Sequence, residues 1–297
     1  MMSRLLTISF LLMLLGAEAQ QIQQYSQFFM NDYALNPGIA GLRENIEVRS
    51  NNRYQWEGIT DAPRTYTLSI NVPVADEGLG FGAYLFTDIV GPTRRIGFQA
   101  GGSYHLPLND KMKLGIGFSV GVLEYSVDGE KIELADNGDG ALMNLLGTTR
   151  VVDAKAGVIL NAEDFYVGFS VPQIAQNNLD IYASSVAGSS TLVTHYFLMG
   201  GYRYEINEDY TIEPNVLAKY VSPAPIKLDI SLRGIWKDKV WLGGGYRNGD
   251  AFVAMVGVRL NDQILIGYSH DFTTSDIQNY SSGTHEIMLG LDIPKPE

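Results

Sequence analysis

The chain has 297 residues, 33 acidic against 21 basic side chains, a formal net charge of −12 and no cysteine. The lack of cysteine excludes a disulfide framework and an acylated lipoprotein anchor, and the acidity argues against nucleic acid or an anionic lipid surface as partner. A mean hydropathy of −0.01 leaves both a secreted soluble protein and a membrane β-barrel open.

Arg4 precedes an apolar run from Leu5 to Leu15, which Ala17-Glu18-Ala19 follows. A positive start, a short apolar core and a small-x-small site predict a secretory signal over residues 1–19, cleaved after Ala19. A transmembrane anchor needs roughly 20 apolar residues, more than this run supplies. In residues 20–44, Tyr25, Phe28, Phe29, Tyr33 and Leu35 recur at a roughly helical spacing until Asn36-Pro37-Gly38 ends the pattern. This segment reads either as a plug or docking element, with Tyr25, Phe28, Phe29, Asn36 and Pro37 as its contacts, or as a cover on the periplasmic rim.

From residue 45 to 293 the period is 2, the mark of strands with two chemically different faces. In Ile226–Trp236, Ile226, Leu228, Ile230, Leu232 and Trp236 share one face, and Lys227, Asp229, Ser231 and Arg233 share the other. Thr211, Glu213, Asn215 and Lys219 stand opposite Ile212, Val216, Ala218 and Tyr220; Arg95, Gln99, Ser103 and His105 stand opposite Ile96, Phe98, Ala100 and Tyr104. The last strand sets Ile287, Leu289, Leu291 and Ile293 against Glu286 and Asp292. A soluble sandwich alternates in the same way. Strands of about ten residues or more, however, match a tilted bilayer crossing rather than the usual soluble length. Tyr196, Tyr202, Tyr204, Tyr220, Tyr246 and Tyr268 also fall near strand ends, where interfacial girdles sit.

The connections point the same way, because outer-membrane barrels alternate short periplasmic turns with longer outer loops. Short turns are read at Ala75-Asp76-Glu77, Asn109-Asp110, Ala162-Glu163, Asn207-Glu208, Lys237-Asp238 and Asn261-Asp262. Longer connections run over 55–63, 126–150, 173–194 and 273–283. The predicted fold is thus all-β, a transmembrane antiparallel outer-membrane barrel of about fourteen strands, with residues 294–297 as a periplasmic tail. Glycines inside strands, among them Gly80, Gly82, Gly115 and Gly117, mark bends or places where another chain segment packs closely on the wall.

Catalytic signals are weak. His105, His195, His270 and His285 are scattered without metal-ligand spacing, and alternation sends His270 to the face opposite Ser269 and Asp271. Asp136-Asn-Gly-Asp-Gly140 lacks the register and terminal glutamate of a calcium loop and reads as a polar turn. No cofactor is expected.

Tyr25-Ser-Gln-Phe-Phe-Met-Asn, Leu35-Asn-Pro-Gly-Ile-Ala-Gly, Arg53-Tyr-Gln-Trp56, Ala62-Pro-Arg-Thr-Tyr-Thr-Leu-Ser69, Gly78-Leu-Gly-Phe-Gly82 and Asp88-Ile-Val-Gly-Pro92 follow one another along the chain. Leu106-Pro-Leu-Asn109, Leu114-Gly-Ile-Gly-Phe118, His195-Tyr-Phe, Pro214-Asn-Val-Leu-Ala-Lys-Tyr220 and Gly267-Tyr-Ser-His-Asp-Phe272 continue the series. In that order they resemble the PorP/SprF outer-membrane proteins of the Bacteroidota type IX secretion and gliding apparatus. The resemblance implies a non-enzymatic transport-machine component in the outer membrane. It would work with secreted cargo bearing C-terminal sorting domains, notably adhesins, and with periplasmic ring lipoproteins of the secretion motor. On such a barrel Arg95, Glu213, Lys219, Lys227, Asp229, Arg233, Arg247, Arg259 and Asp271 are the candidate lumen or partner contacts; mutual pairing inside the lumen is their other reading. A channel for small polar or hydrophobic solutes, and a passive membrane anchor for an adhesin, are the rival functions on the same fold.

Overall fold

The computed structural model describes residues 22–74, 78–132, 147–179 and 190–295. The signal over 1–19, the turn at Ala75-Asp76-Glu77, the Asp136–Gly140 stretch and residues 296–297 lie outside the described residues. The strands are β1 (Ile46–Tyr54), β2 (Arg64–Pro73), β3 (Leu79–Val90), β4 (Thr93–Asn109), β5 (Met112–Val127), β6 (Thr148–Ala162), β7 (Phe165–Val171), β8 (Asn178–Leu179), β9 (Ser190–Thr191), β10 (His195–Tyr202), β11 (Tyr204–Asn207), β12 (Tyr210–Val221), β13 (Lys227–Trp236), β14 (Val240–Arg247), β15 (Ala251–Arg259), β16 (Ile264–Thr273) and β17 (Thr284–Ile293).

All strands but β8 and β9 join one antiparallel sheet, and β8 and β9 form a separate two-stranded ribbon. The first strand pairs with the last from Ile46 opposite Ile293 to Tyr54 opposite His285, which closes the sheet on itself. β10 and β11 share one position between β7 and β12, so the 15 strands make a ring of 14. Closure leaves no unpaired edge, the condition for placing strands in lipid.

The alternation read from the sequence sorts the side chains by solvent. Phe81, Phe98, Phe118, Leu198, Leu232 and Phe252 are exposed on the outer wall, and Leu242 is 70% exposed there. A soluble protein would hide such a band; around a barrel it is the lipid-facing surface. On the inner wall Asn51, Ser69, Ser119, Ser269 and Glu286 are buried. The tyrosines named above all point outward, and Tyr196 and Tyr220 stack across β10 and β12 with ring centroids 6.2 Å apart.

One end of the barrel carries the short turns, for reasons local to their sequences. The Asn109 Oδ1 accepts from the Lys111 N–H, that of Asn207 from Asp209 and Tyr210, and that of Asn261 from Gln263 and Ile264. These Asx turns reverse the chain in two or three residues. Lys237 and Asp238, with φ of 51° and 53°, form the mirror-image turn that fits strand twist. At the other end the loops 55–63 and 273–283 fasten to one another. The Glu57 N–H donates to the Gly283 carbonyl at 2.8 Å, and the Ser282 N–H to the Glu57 carbonyl at 2.9 Å.

Residues 22–44 run through the interior of this barrel. Ile22, Gln23 and Gln24 lie at the long-loop mouth beside Gln55, Trp56 and Tyr125. The segment descends to the short-turn end, where Arg43 pairs with Asp32 and with Glu47 of β1. Its aromatic spacing is not an α-helix but three 3₁₀ turns, Phe28–Met30, Asp32–Ala34 and Pro37–Ile39. Asn31 (φ −133°, ψ 56°) and the extended Asn36 (φ −139°, ψ 112°) separate them with non-helical backbone, and their side chains bond elsewhere. Phe28, Tyr33, Leu35 and Ile39 form a core with Ile159, Phe197, Met199 and Met255 of the wall.

Candidate functional site

The lumen and its occupant are the chemically dense part of the molecule, and the wall grips the inner segment largely by its main chain. Glu286 of β17 accepts from the N–H groups of Ser26 and Gln27 at 2.7 and 3.0 Å. Arg49 donates to the Met30 carbonyl at 3.2 Å, Lys155 to that of Ala34 at 2.7 Å, Ser170 to that of Leu35 at 2.7 Å, and Ser103 to that of Ala40 at 2.5 Å. Asn71 accepts from the Gly41 N–H at 2.5 Å. Such bonds each contribute about 1 kcal/mol, and more where an ionised group takes part.

Side chains then set the register. The Asn36 Oδ1 accepts from Gly38 at 2.9 Å while its Nδ2 donates to the Val158 carbonyl of β6 at 2.9 Å. Asn31 donates to Asn51 of β1 at 2.9 Å and accepts from Ser69 of β2 at 2.7 Å. The Tyr25 hydroxyl bonds that of Tyr84 on β3. The in-strand glycines belong to the same fit. A Cβ on Gly157 would strike the Asn36 amide, one on Gly117 the Pro37 carbonyl, and one on Gly82 the Tyr33 ring. A strand is weakened by glycine, and here the compensation is a bed shaped for the inner segment.

A buried ionic network fastens the segment where the barrel closes. Arg53 of β1, only 1% exposed, meets Asp271 of β16 at 2.7 Å, Glu286 of β17 at 3.3 Å and the Ser26 hydroxyl at 2.8 Å. Arg247 of β14 joins Asp271 at 2.8 Å, Asp229 at 3.2 Å and Ser26 at 3.2 Å, and Lys219 completes the set on Asp229 at 2.7 Å. The Ser26 hydroxyl itself donates to Asp271 at 2.6 Å. Each charge in this group has an opposite partner, which is the condition for carrying charge into a water-poor interior.

Of the residues read from the sequence, Lys219, Asp229, Arg247 and Asp271 therefore converge on one network. Glu213 and Arg233 form a second group near the short turns, paired at 2.5 Å, with Arg203 on Glu213 at 3.0 Å. The Arg233 guanidinium lies over the Phe29 ring, 4.7 Å from its centre. Arg259 pairs with Asp292 at 2.8 Å at that same end. Arg95 stands apart near the long loops, paired with Asp88. Lys227 is exposed at the start of β13 and joins neither group. Tyr25, Phe28, Phe29, Asn36 and Pro37 are all buried in the lumen. Sequence reading missed Arg53, Glu286, Arg49, Asn51 and Lys155. The signal for β1 was present, since Glu47, Arg49, Asn51 and Arg53 alternate like the strands used as examples.

Cavities remain at the two mouths. A cavity of about 470 Å³ at the short-turn end is lined by Phe29, Arg43, Arg49, Arg233, Trp241 and Arg259 among others. One of about 340 Å³ at the long-loop end is lined by Ile22–Gln24, Gln55, Trp56, Arg95 and Tyr125 among others. Among the described residues no group of three or more histidine or acidic side chains is placed to hold a metal ion. Ser269 and Asp271 point inward, whereas His270 packs outward against His285 and Phe272, so the three do not form a catalytic array.

Solved structures share the barrel. The Ralstonia pickettii toluene transporter TbuX is 10% identical, with 88% of this chain and 92% of that chain covered and a TM-score of 0.49. The Acinetobacter baumannii outer membrane protein Omp33 is 11% identical over 86% of this chain and 100% of that chain, with a TM-score of 0.46. A TodX deltaS2S3 mutant monoaromatic hydrocarbon channel is 9% identical over 89% and 94%, with a TM-score of 0.51. At such identity the likeness is one of fold. No curated protein sequence matches the chain. A family model described as "Type IX secretion system membrane protein PorP/SprF" matches residues 17–291, which takes in the inner segment and nearly all of the barrel, and the chain belongs to that family of outer-membrane proteins.

Proposed function

We propose that this barrel is a non-enzymatic component of the type IX secretion apparatus that supports secretion or surface attachment of cargo bearing C-terminal sorting domains. The observation that carries the reading, beside family membership, is the filled lumen. A solute channel needs a water path from mouth to mouth, whereas here the inner segment is bonded to opposite sides of the wall, from Glu286 to Ser170. A plugged body of this kind acts by presenting its two mouths to partners rather than by conduction.

On this reading residues 20–44 are the plug of a barrel spanning 45–293, and the tail 294–297 lies in the periplasm, as does the short-turn face. Lys219, Asp229, Arg247 and Asp271 hold the plug. Glu213, Arg233 and Arg259, at the short-turn mouth, are the charged contacts offered to periplasmic ring lipoproteins, and Arg95 is offered at the long-loop mouth. Signal-peptide cleavage after Ala19 delivers the chain to the periplasm, where the outer membrane receives it.

Purification from its native membrane tests the assignment. The barrel is expected to retain secreted cargo or a periplasmic ring lipoprotein, and to leave planar bilayers silent when reconstituted alone. Free conduction by the intact chain, with no partner retained, would overturn the reading in favour of a solute channel.

A further inference from the structure

The direction in which the inner segment threads the barrel has a topological consequence. β1 begins at Ile46 on the short-turn side, yet residues 22–24 stand at the opposite mouth among the long loops. Between them the contacts progress steadily. Ser26 meets Asp271 near the long-loop end of β16, Asn31 meets the middle of β1 at Asn51, and Arg43 meets Glu47 at the start of β1. The chain therefore rises through the full height of the lumen in reverse, and its amino-terminal side leaves at the mouth that barrels of this type turn outward.

That mouth opens into a cleft. Below it stand the Tyr25–Tyr84 hydroxyl pair and the buried Ser26 network, and a narrow pocket of about 40 Å³ continues past Tyr25 to Ala34 and Lys155. Among the described residues its lining mixes amides, hydroxyls and rings, such as Gln23, Gln55, Trp56 and Tyr125, with aliphatic side chains such as Leu179 and Leu192. Among the described residues its one acid–base couple, Asp88 with Arg95, is internally neutralised. A lining of this kind favours a polypeptide, whose amides and apolar side chains it can match, over phosphates or small ions. We propose that the amino-terminal end of the inner segment is displayed to the cell exterior, and that the cleft it forms with Gln55, Trp56 and Tyr125 is the surface that meets secreted cargo. The second half of the proposal rests on the function proposed above.

The chain has no cysteine, so a single introduced thiol reports cleanly. Gln23→Cys is expected to react with a membrane-impermeant biotin-maleimide in intact cells, whereas Lys111→Cys, in a short turn, reacts only once the outer membrane is opened. Loading the biotinylated Gln23→Cys protein with streptavidin is then expected to lower cell-attached cargo several-fold and raise cargo in the medium. Retention of heat-modifiable gel migration by both variants shows that the barrel is folded. Labelling of Gln23→Cys only in permeabilised cells would overturn the outward display. Unchanged cargo attachment under streptavidin would overturn the cleft as the cargo surface. If deletion of the whole protein leaves cargo display unchanged, the proposed function itself fails, while the labelling result still decides the display.

Discussion

Arg53 shows how a single side chain carries the closure of the barrel. Its guanidinium bridges β16 and β17 from β1 and also reaches Ser26 of the inner segment. Replacing it with Met keeps much of the volume but strands Glu286 without a cationic partner in the interior and leaves Asp271 to Arg247 alone. Loss of one partner from a buried ion pair costs about 3–5 kcal/mol. Arg53→Met is therefore expected to lower the urea midpoint of the micelle-bound barrel strongly, and to make residues 22–44 cleavable by added protease. Arg95→Met leaves Asp88 with the Thr65 hydroxyl at 2.7 Å and breaks a single ion pair outside the network, so it should cost less than Arg53→Met. Equal losses from the two substitutions would show that the network is not the fastening. Because Arg53 and Glu286 are in contact, Arg53→Met in a Glu286→Gln background should cost less than the sum of the two single changes.

At the scale of elements, the inner segment and the wall behind it are one fitted unit. The Asn36-Pro37-Gly38 turn lies so close to β5 and β6 that a side chain on Gly117 or Gly157 would occupy the same space. Gly157→Val is expected to leave the strand pairing of the barrel intact, since valine favours strands, and to push the turn off the wall. The measurement is limited proteolysis of residues 22–44 beside circular dichroism. An unaltered, protected segment would refute the close-packing account. Asn36→Ala removes the bonds to Gly38 and Val158 and should cost about 1 kcal/mol for each. The helical spacing of Tyr25, Phe28, Phe29 and Tyr33 misleads for a related reason. The wall supplies hydrogen-bond partners to the carbonyls of Met30, Ala34 and Leu35, which an α-helix would have used within itself.

For the whole molecule, the ring of 14 strands and its occupant make separable predictions. With the inner segment lying in the lumen, the chain is expected not to conduct. Deletion of residues 22–44 uncovers a wall of Asn51, Ser69, Ser119, Ser269 and their charged neighbours, which water can solvate. The deleted barrel is expected to keep its heat-modifiable migration and to gain stepwise conductance in planar bilayers. A folded deletion variant that stays silent would mean that something other than residues 22–44 closes the lumen.

Much of this architecture was legible in the amino-acid order. Period-2 alternation in stretches such as Lys227–Trp236, together with turn asparagines at 109, 207 and 261, determined an antiparallel barrel with short turns at one end. Those features are local, because each strand meets lipid on one face and the lumen on the other wherever it sits in the ring. The ordered motifs from Tyr25 onward likewise pointed to the family. What only the tertiary structure decided is which charges meet and where residues 22–44 run. Arg53 and Glu286 are 233 positions apart, and they touch because the first strand closes on the last. Whether an inward charge holds the inner segment, as Asp271 does, or lines a mouth, as Arg259 does, depends on its height in the closed ring, which alternation along a single strand cannot encode.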